Sequence, residues 1–318
     1  MFLYKLFNLV IDSDEVLPEL VPNDKAGVDI YVRHASPLEI FPTPLSWFMQ
    51  WHLPGGELWL SCAKMDGGYL LRFNELTDFF VSDKGKQIAY LPKPEIPPET
   101  IHHLLLDQVI PLVINLRGGE ALHVSAVLTS HGVAAFAGPT GSGKSTLAGV
   151  LFNIGYPIVS DDCLVLMEKN KGIYAIPAYP GLRLWGDALS CLFGDNGPHK
   201  SVAHYTEKRR VDIKNKKSIY SAEPQPFRRL YAIADQPESK EKNDIAIERL
   251  PSRESFIALV QCAFRLDITD HSMLKQQFHF LEKVVCKVSV RRLIFPKDLN
   301  VLPAVREAIV TDLKDLDN

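Results

Sequence analysis

The segment GPTGSGKST, at positions 138–146, limits the fold of this 318-residue chain more than any other stretch. Its Gly138, Gly143, Lys144 and Ser145 fit the pattern G-x-x-x-x-G-K-[ST], in which glycines let the backbone wrap around phosphate and a helix begins directly after the loop. The apolar run VAAFAG leads into the loop, and the helical pattern TLAGVLF follows it. This strand–loop–helix order predicts an α/β domain that binds a nucleotide.

Each residue of this phosphate-binding loop (P-loop) has an expected part in binding. Lys144 supplies a positive charge for the β- and γ-phosphates, and the Ser145 hydroxyl is placed to ligate Mg²⁺. The expected cofactors are therefore ATP, with GTP left open, and Mg²⁺. The alternative is a Gly-rich turn before a helix. The residues predicted to contact the nucleotide are Gly138, Pro139, Thr140, Gly141, Ser142, Gly143, Lys144, Ser145 and Thr146.

Two acidic residues end the next apolar run. Asp161 and Asp162 follow YPIVS, and Asp161 comes 16 positions after Ser145, which fits one helix and one returning strand. Carboxylates at such a strand end can bind Mg²⁺ or take a proton from an attacking hydroxyl. An isolated Asp-Asp pair is common in turns, but the P-loop upstream favours a role in the site. His123, in the apolar strand ALHVSAV, is by itself more typical of a core histidine.

The composition bears on partners and location. Hydrophobic residues make up 46% and charged residues 23% of the chain, as in soluble globular proteins. The formal net charge of −3 gives no general attraction to nucleic acid or to an anionic membrane, so we expect neither as a partner. The five cysteines lack C-x-x-C spacing, which predicts neither a zinc site nor a disulfide framework and favours a cytoplasmic location. We also expect no signal peptide, and no apolar run approaches the ~20 residues that cross a bilayer.

The sequence pattern predicts two domains. Residues 1–95 are β-rich, with strands YVRHAS, ELWLSCAK, GYLLRF and KQIAYL, and they include Trp47, Trp51 and Trp59. These tryptophans form either a small core or an aromatic surface that docks a substrate peptide. After the Pro-rich linker LPKPEIPPET, residues 96–318 form the nucleotide-binding domain.

The second domain alternates strands with helices. Pro111 is expected to kink its first helix, over residues 99–116, and a Gly-Gly pair ends that helix. A hairpin of residues 121–130 and 131–139 leads into the P-loop. The basic segment EKRRVDIKNKK, residues 207–217, is either a solvated loop or a lid over phosphate or an acidic peptide. Further predictions are strands at 156–162, 163–176, 228–235 and 288–296, helices at 144–154, 252–264, 274–287 and 302–313, a polar loop at 199–222 and a charged turn at 238–244.

The stretch LHVSAVLTSHGVAAFAGPTGSGKST, with GYPIVSDD after it, resembles the catalytic core of the HPr kinase/phosphorylase family. That family places a His on a hairpin strand before the loop and an Asp-Asp pair after it. LHVSAV, YPGLRLW, PQPFRRLY and FRLDITD make the chain similar to the divergent HPr kinase-related proteins, which include serine kinases encoded with ribosomally made peptides such as lasso peptides. The similarity covers residues 100–315.

The resemblance implies an α/β fold, with a P-loop-containing HPr kinase-like C-terminal domain and a small β-rich N-terminal domain. It also implies phosphoryl transfer to a serine-type hydroxyl, in which Asp161 matches the family's general base and Asp162 its metal-binding or base-positioning partner. His123 matches the histidine that supports the acidic pair. Arg228 and Arg229 fall where the family has arginines near the transferring phosphate, where such a charge stabilises the transition state.

One segment departs from the family pattern. Typical members carry EIRGLGI, whose Glu ligates magnesium, whereas this chain has AIPAYPGLRLWGDAL. The missing Glu argues against HPr as the phosphate acceptor and against reverse phosphorolysis. Arg183, in the same segment, is either available to an anionic ligand or a surface residue beside Trp185.

The leading hypothesis is an ATP-dependent kinase that transfers the γ-phosphoryl group to a Ser or Thr hydroxyl of a peptide or protein, such as a ribosomally made precursor peptide. The alternatives are a small-molecule alcohol kinase and a non-catalytic nucleotide-binding regulator. The β-rich domain favours a peptide acceptor, and the acidic pair favours catalysis over binding alone. Homo-oligomer formation is left open by the sequence.

Overall fold

The chain has a mixed α/β fold, as the sequence predicts, and internal contacts divide it into two compact units. The computed structural model describes residues 1–24, 27–36, 41, 43–53, 55–179, 181–194, 199–211, 213, 223–235 and 244–315. Unit 1 comprises Met1–Gly119, Ala203–Tyr205 and Arg265–Gln276, and unit 2 comprises Glu120–Val202, Thr206–Phe264 and Gln277–Asn318.

Unit 1 is built on a nine-stranded sheet. Its strands are β1 (Phe2–Leu6), β2 (Leu9–Ser13), β3 (Val21–Pro22), β4 (Ile30–His34), β5 (Met49–His52), β6 (Leu58–Met65), β7 (Gly68–Phe73), β8 (Thr77–Ser82) and β9 (Gln87–Pro92). They lie in the order β3-β1-β2-β4-β9-β8-β7-β6-β5. β4 runs parallel to β2 and β9, and the other neighbours are antiparallel. The four strands predicted within residues 1–95 correspond to β4, β6, β7 and β9.

A helical segment follows this sheet. Its parts are α1 (Pro98–Leu104), a π-helical turn (Leu105–Val109) and α2 (Ile110–Leu116). Pro111 has no N–H for the carbonyl four residues earlier, and the π turn widens the helix at this place. The segment ends in a Schellman motif, because Gly118 N–H donates to Asn115 O and Gly119 N–H donates to Ile114 O, both at 2.9 Å.

This helical segment belongs to unit 1, although the sequence placed it in the second domain. α2 packs against the turn between β8 and β9, where a Cβ added at Gly85 would lie 3.0 Å from Val113 Cγ1 and 3.2 Å from Arg117 Cγ. The contact ties α2 to the sheet, so the boundary between the units follows Gly119 rather than residue 95.

Unit 2 contains most of the helices. Its strands are β10 (Glu120–Leu122), β11 (Val124–Thr129), β12 (Gly132–Ala137), β13 (Ile158–Ser160), β14 (Leu164–Lys169), β15 (Gly172–Ile176), β16 (Leu182–Leu184), β17 (His199–Ser201), β18 (Arg209–Val211), β19 (Gln225–Ala234), β20 (Ala246–Arg249) and β21 (Ser289–Ile294). Its helices are α3 (Lys144–Asn153), α4 (Gly186–Phe193), α5 (Ser252–Cys262), α6 (His271–Lys287) and α7 (Leu302–Lys314), with a 3-10 turn at Leu299–Val301. α6 begins in unit 1 and continues in unit 2.

The centre of the unit 2 sheet is parallel. β19 lies between β12 and β21 and is parallel to both, and α3 follows β12 directly. β11 forms the predicted antiparallel hairpin with β12, and β13 pairs with the other edge of β11. The end of β13 is therefore one strand away from β12, the strand that leads into the P-loop. A separate three-stranded sheet has the order β16-β18-β17.

The sheet is covered by apolar packing on both faces because alternate residues of a strand point to opposite sides. Phe136 packs in a cluster with Leu147 of α3 and Val305 of α7. Ala135, its neighbour on β12, packs in a second cluster with Leu259 of α5. The P-loop thus sits on a strand that is buried on both sides, and its position is fixed by the core.

Several predicted elements are confirmed, and some elements were missed. The helices predicted at 144–154, 252–264, 274–287 and 302–313 are α3, α5, α6 and α7. α4, β20 and the sheet of β16, β17 and β18 were not predicted. Residues 212 and 214–222 of the predicted polar loop, and 238–243 of the predicted charged turn, lie outside the described residues. Within the described part of the chain, each helix is too short or too polar to traverse a lipid bilayer.

Candidate active site

The P-loop joins β12 to α3, and its glycines are required by its geometry. A Cβ at Gly138 would approach Ser142 Oγ to 2.6 Å, so no larger residue fits there without moving the loop. Gly141 and Gly143 have φ angles of 80° and 97°, in the left-handed region that favours glycine. Gly143 precedes the first residue of α3 and directs the start of that helix at the loop.

Lys144 is the first residue of α3, and its side chain folds over the P-loop. It is 6% exposed, and its Nζ donates to Gly138 O at 2.9 Å and to Pro139 O at 3.2 Å. Burial lowers the pKa of Lys144, and the carboxylate of Asp162 is the largest opposing influence. The ammonium therefore lies where added negative charge from a phosphate would stabilise it.

Ser145 is joined to Asp161 at the base of the site. Asp161 Oδ1 accepts hydrogen bonds from Ser145 Oγ at 2.9 Å and from Ser125 Oγ at 2.5 Å. Its Oδ2 accepts from the backbone N–H of Arg183 at 2.7 Å. Burial, and then the neighbouring Asp162, raise the pKa of this carboxyl. Ser125 was missed by sequence reasoning, although it follows His123 by two positions in the same strand-like run.

Asp162 has a left-handed backbone with φ of 67°. Its Oδ2 lies 3.5 Å from Arg183 Nη1. Its backbone oxygen lies 2.9 Å from His123 Nδ1, and since a carbonyl only accepts, Nδ1 carries the proton and Nε2 carries the lone pair. Burial lowers the pKa of His123, so the ring is neutral near pH 7. His123 thus stabilises the turn that presents the acidic pair.

The residues present fit phosphate and Mg²⁺. Ser142 Oγ is buried within the loop and has no hydrogen-bond partner, and a phosphate oxygen would satisfy it. Ser145 and Asp161 offer the hard oxygen ligands that Mg²⁺ prefers, and Mg²⁺ commonly uses one or two carboxylates together with substrate phosphates. The described residues hold no cluster of three or more His, Cys, Asp or Glu able to bind a metal alone. The sequence paired Ser145 with Asp162 for this ion, whereas the hydrogen bond joins Ser145 to Asp161.

The structure does not bring Arg229 to the P-loop. Its guanidinium is 1% exposed and donates from Nη1 to Ser289 Oγ at 3.0 Å and from Nη2 to Asp312 O at 3.1 Å. Along β19 the residue beside Gly138 is Ile233, whose Cβ would be 3.2 Å from an added Gly138 Cβ. Arg229 is four residues earlier, or about 13 Å away along an extended strand. It anchors α7 to the sheet.

Arg228 is also placed elsewhere. It is exposed and lines a cavity of about 260 Å³ together with Lys171, Tyr174 and Lys287. The two arginines singled out by the sequence pattern are therefore separated from the acidic pair, and Arg183 is the arginine that contacts it.

The described part of the basic segment 207–217 brings one more cation to the site. Lys208 Nζ lies 5.9 Å from the centroid of the Trp185 ring. Burial is the main reason for the lowered pKa values of Lys144 and His123, and the Lys208 ammonium lowers both further. Its charge is therefore close to both side chains. Residues 212 and 214–217 of this segment lie outside the described residues.

Comparison with known proteins gives limited matches. No family model matches the chain, and no curated protein matches it. Among solved structures, the Hpr(Ser) kinase/phosphatase from Coxiella burnetii is similar to the chain with 12% sequence identity and a TM-score of 0.31, over 62% of this chain and 99% of the other. We therefore base the function on the geometry of the site.

Proposed function

We propose that the protein is an ATP-dependent kinase that transfers a phosphoryl group to a serine-type hydroxyl of a peptide or protein. The observation that carries this proposal is the hydrogen bond between Ser145 of the P-loop and the buried carboxylate of Asp161, with the buried Asp162 beside it. A P-loop alone is compatible with a binding protein. A P-loop joined to a pair of buried carboxylates has the groups that phosphoryl transfer requires.

The nucleotide would be held by the P-loop. Backbone N–H groups of the loop and the start of α3 face the phosphates, and Lys144 exchanges its bonds to Gly138 O and Pro139 O for phosphate oxygens. Ser145 and Asp161 would hold Mg²⁺. When bound, the ion would neutralise part of the negative charge on the β- and γ-phosphates. ATP is the proposed nucleotide, and GTP is tested beside it.

The proton of the acceptor hydroxyl would pass to Asp162. The family resemblance gives this role to Asp161, but the Asp161 oxygens already accept three hydrogen bonds from Ser125, Ser145 and Arg183. In the transfer step the acceptor oxygen bonds to the γ-phosphorus and the bond to the β–γ bridging oxygen breaks. ADP leaves with that electron pair, and Asp162 takes the hydroxyl proton.

The proposed acceptor is a peptide or protein, for example a ribosomally made precursor peptide. Unit 1 supports this choice because β5 is an edge strand of its sheet and carries Trp51, which is 44% exposed. An edge strand with an exposed aromatic side chain can bind an extended peptide by strand addition. Trp59, in contrast, is half-buried and packs against Phe73 and Tyr205 at centroid distances of 5.8 and 5.0 Å.

The test is phosphate transfer in a purified mixture. The protein is incubated with Mg²⁺, ATP or GTP, and candidate peptides, and each peptide is measured by intact mass before and after. We expect one phosphoryl group on serine-containing peptides and none on matched Ser→Ala peptides.

Lys144→Ala should abolish transfer and weaken ATP binding while the thermal unfolding curve stays cooperative, because it removes the main side-chain charge on the phosphates.

Two outcomes would redirect the proposal. Phosphate on a small alcohol but on no peptide would favour a small-molecule kinase. Nucleotide binding without transfer to any acceptor would favour a regulator. Full transfer by the Lys144→Ala variant would contradict the P-loop assignment itself.

A further inference from the structure

Arg183 is a buried charge that the proposed reaction has not yet used. It lies in the middle of β16, is 3% exposed, and has its register partner on β18. A guanidinium removed from water must be compensated by charge and by hydrogen bonds. The groups that compensate Arg183 are those of the candidate active site.

The backbone and the side chain of Arg183 contact different carboxylates. Its backbone N–H donates to Asp161 Oδ2 at 2.7 Å, so the residue is fixed to the carboxylate that also accepts from Ser145. Its Nη1 lies 3.5 Å from Asp162 Oδ2. The guanidinium is thus anchored beside the two acids that follow β13.

Tyr179 holds the other side of the guanidinium. Arg183 Nη2 donates to the Tyr179 hydroxyl, and the guanidinium carbon lies 5.4 Å from the centroid of the Tyr179 ring. Tyr179 is itself buried. A planar guanidinium bound by a hydroxyl and packed on a ring loses little further freedom when it contacts an anion.

Asp161 joins the P-loop to Arg183, because its Oδ1 accepts from Ser145 and its Oδ2 from the Arg183 backbone N–H. The Asp162 carboxylate has the largest charge interaction with Lys144, and Arg183 Nη1 is 3.5 Å from it. A γ-phosphoryl group bound by Lys144 would therefore carry its negative charge close to the Arg183 guanidinium. In this arrangement Arg183 stands where the sequence pattern expected Arg228 or Arg229.

We propose that Arg183 is the catalytic arginine of the proposed kinase and contacts the oxygens of the γ-phosphoryl group during transfer. This inference rests on the proposed function. Charge spreads over the three equatorial oxygens as the bond to ADP breaks, and a guanidinium already in place stabilises that charge without reorganisation. As Arg183 turns to the phosphoryl group, its ion pair with Asp162 weakens, so Asp162 is released to accept the hydroxyl proton.

The experiment compares Arg183→Ala and Arg183→Lys with the wild type. For each protein, kcat and KM are measured for transfer, and binding is measured for the unreactive analogue AMP-PNP and for ADP with aluminium fluoride, which mimics the transferring group. We expect kcat to fall by ~10²-fold or more in both variants. The affinity for ADP with aluminium fluoride should fall in parallel, whereas the affinity for AMP-PNP stays within a few-fold.

Two controls separate catalysis from folding. Arg249→Ala removes an exposed arginine on β20 and should leave all four measurements unchanged. Added guanidinium at non-denaturing concentration should restore part of the kcat of Arg183→Ala, since it replaces the missing group, and should not raise that of the wild type. Arg183→Lys keeps the buried charge, so the kinetic comparison remains valid if the Ala variant does not fold.

The outcomes distinguish this inference from the proposed function. No transfer and no nucleotide binding by the wild type would overturn the kinase assignment. A wild type that transfers phosphate, with an Arg183→Lys variant of unchanged kcat, would overturn the role of Arg183 alone. Equal losses of AMP-PNP and ADP–aluminium fluoride binding would also overturn it, because they indicate a structural or ground-state role.

Discussion

At the scale of single residues, Asp161 and Asp162 are neighbours with different surroundings. Asp161 accepts three hydrogen bonds, one of them from the P-loop serine, and Asp162 faces Lys144 and Arg183. We predict that Asp161→Asn raises the Mg²⁺ concentration for half-maximal transfer by roughly 10-fold or more, because it removes a ligand charge.

Asp162→Asn should lower kcat by ~10²-fold or more and leave nucleotide affinity unchanged, because it removes the base.

The measurement is a Mg²⁺ titration of transfer for the wild type and both variants, together with nucleotide affinity at saturating Mg²⁺. The opposite pattern, in which only Asp161→Asn loses kcat at saturating Mg²⁺, would return the base to Asp161. Thermal unfolding of each variant serves as the control, since both side chains are buried.

The P-loop and the acidic pair could be located in the sequence, but Ser125, the contact of Arg183 and the separate surroundings of the two aspartates could not. The P-loop and the acidic pair are local patterns, in which one helix and one strand of ordinary length fix the spacing. The choice between Asp161 and Asp162 depends on Ser125 and Arg183, which lie on β11 and β16. Neither contact can be predicted from the residues around the Asp-Asp pair, because both partners are distant in the sequence.

At the scale of elements, β19 and α7 are joined through Arg229. The buried guanidinium pairs with Asp312, which also accepts a hydrogen bond from the Tyr231 hydroxyl at 2.8 Å. We predict that Arg229→Ala lowers the free energy of unfolding by about 3 kcal/mol, the cost of removing one partner from a buried pair. The adjacent, exposed Arg228 is the matched control, and Arg228→Ala should change stability by less than about 0.5 kcal/mol.

Chemical denaturation of both variants measures this difference. A transfer assay of the same two variants, at a temperature where both are folded, tests whether either arginine acts at the P-loop. We expect both variants to keep the wild-type kcat, because neither side chain is at the P-loop. A large loss of kcat in a folded Arg228→Ala or Arg229→Ala variant would support the assignment made from sequence resemblance.

The elements show where sequence resemblance misleads. RRLYAIAD, residues 228–235, was correctly predicted to form a strand. Its alignment within the sheet was not predicted, because β19 begins at Gln225, has ten residues, and pairs with β15 at its start and with β12 further on. Ile233, four residues after Arg229, is the one beside the P-loop. β16 has only three residues, and it pairs with β18, which lies more than twenty residues later in the chain. The residues next to Arg183 in the sequence therefore could not predict its position in the site.

At the scale of the whole molecule, the question is what unit 1 contributes. Removing residues 1–95 would not isolate this contribution, because unit 1 also includes α1, α2 and two later segments. We predict instead that Trp51→Ser raises KM for a peptide acceptor by about 10-fold, as expected for truncating an aromatic contact, and leaves kcat and thermal stability unchanged. Tyr31→Ser, at an exposed aromatic on β4 of the same sheet, is the control. An unchanged KM in Trp51→Ser would eliminate β5 as the docking edge.

On the proposed function, the contacts of Lys144 would make nucleotide binding an exchange reaction. Its ammonium already has two oxygen ligands from the loop, Gly138 O and Pro139 O, so an incoming anion competes with the protein for the same cation. The observed affinity is the intrinsic affinity multiplied by the fraction of molecules in which the lysine has left these carbonyls. We expect a monovalent anion to gain too few contacts to offset the exchange, whereas a triphosphate would reach the loop amides, Ser145 and Lys144 together. The loop would thus discriminate between ligands by their charge before the nucleoside makes any contact.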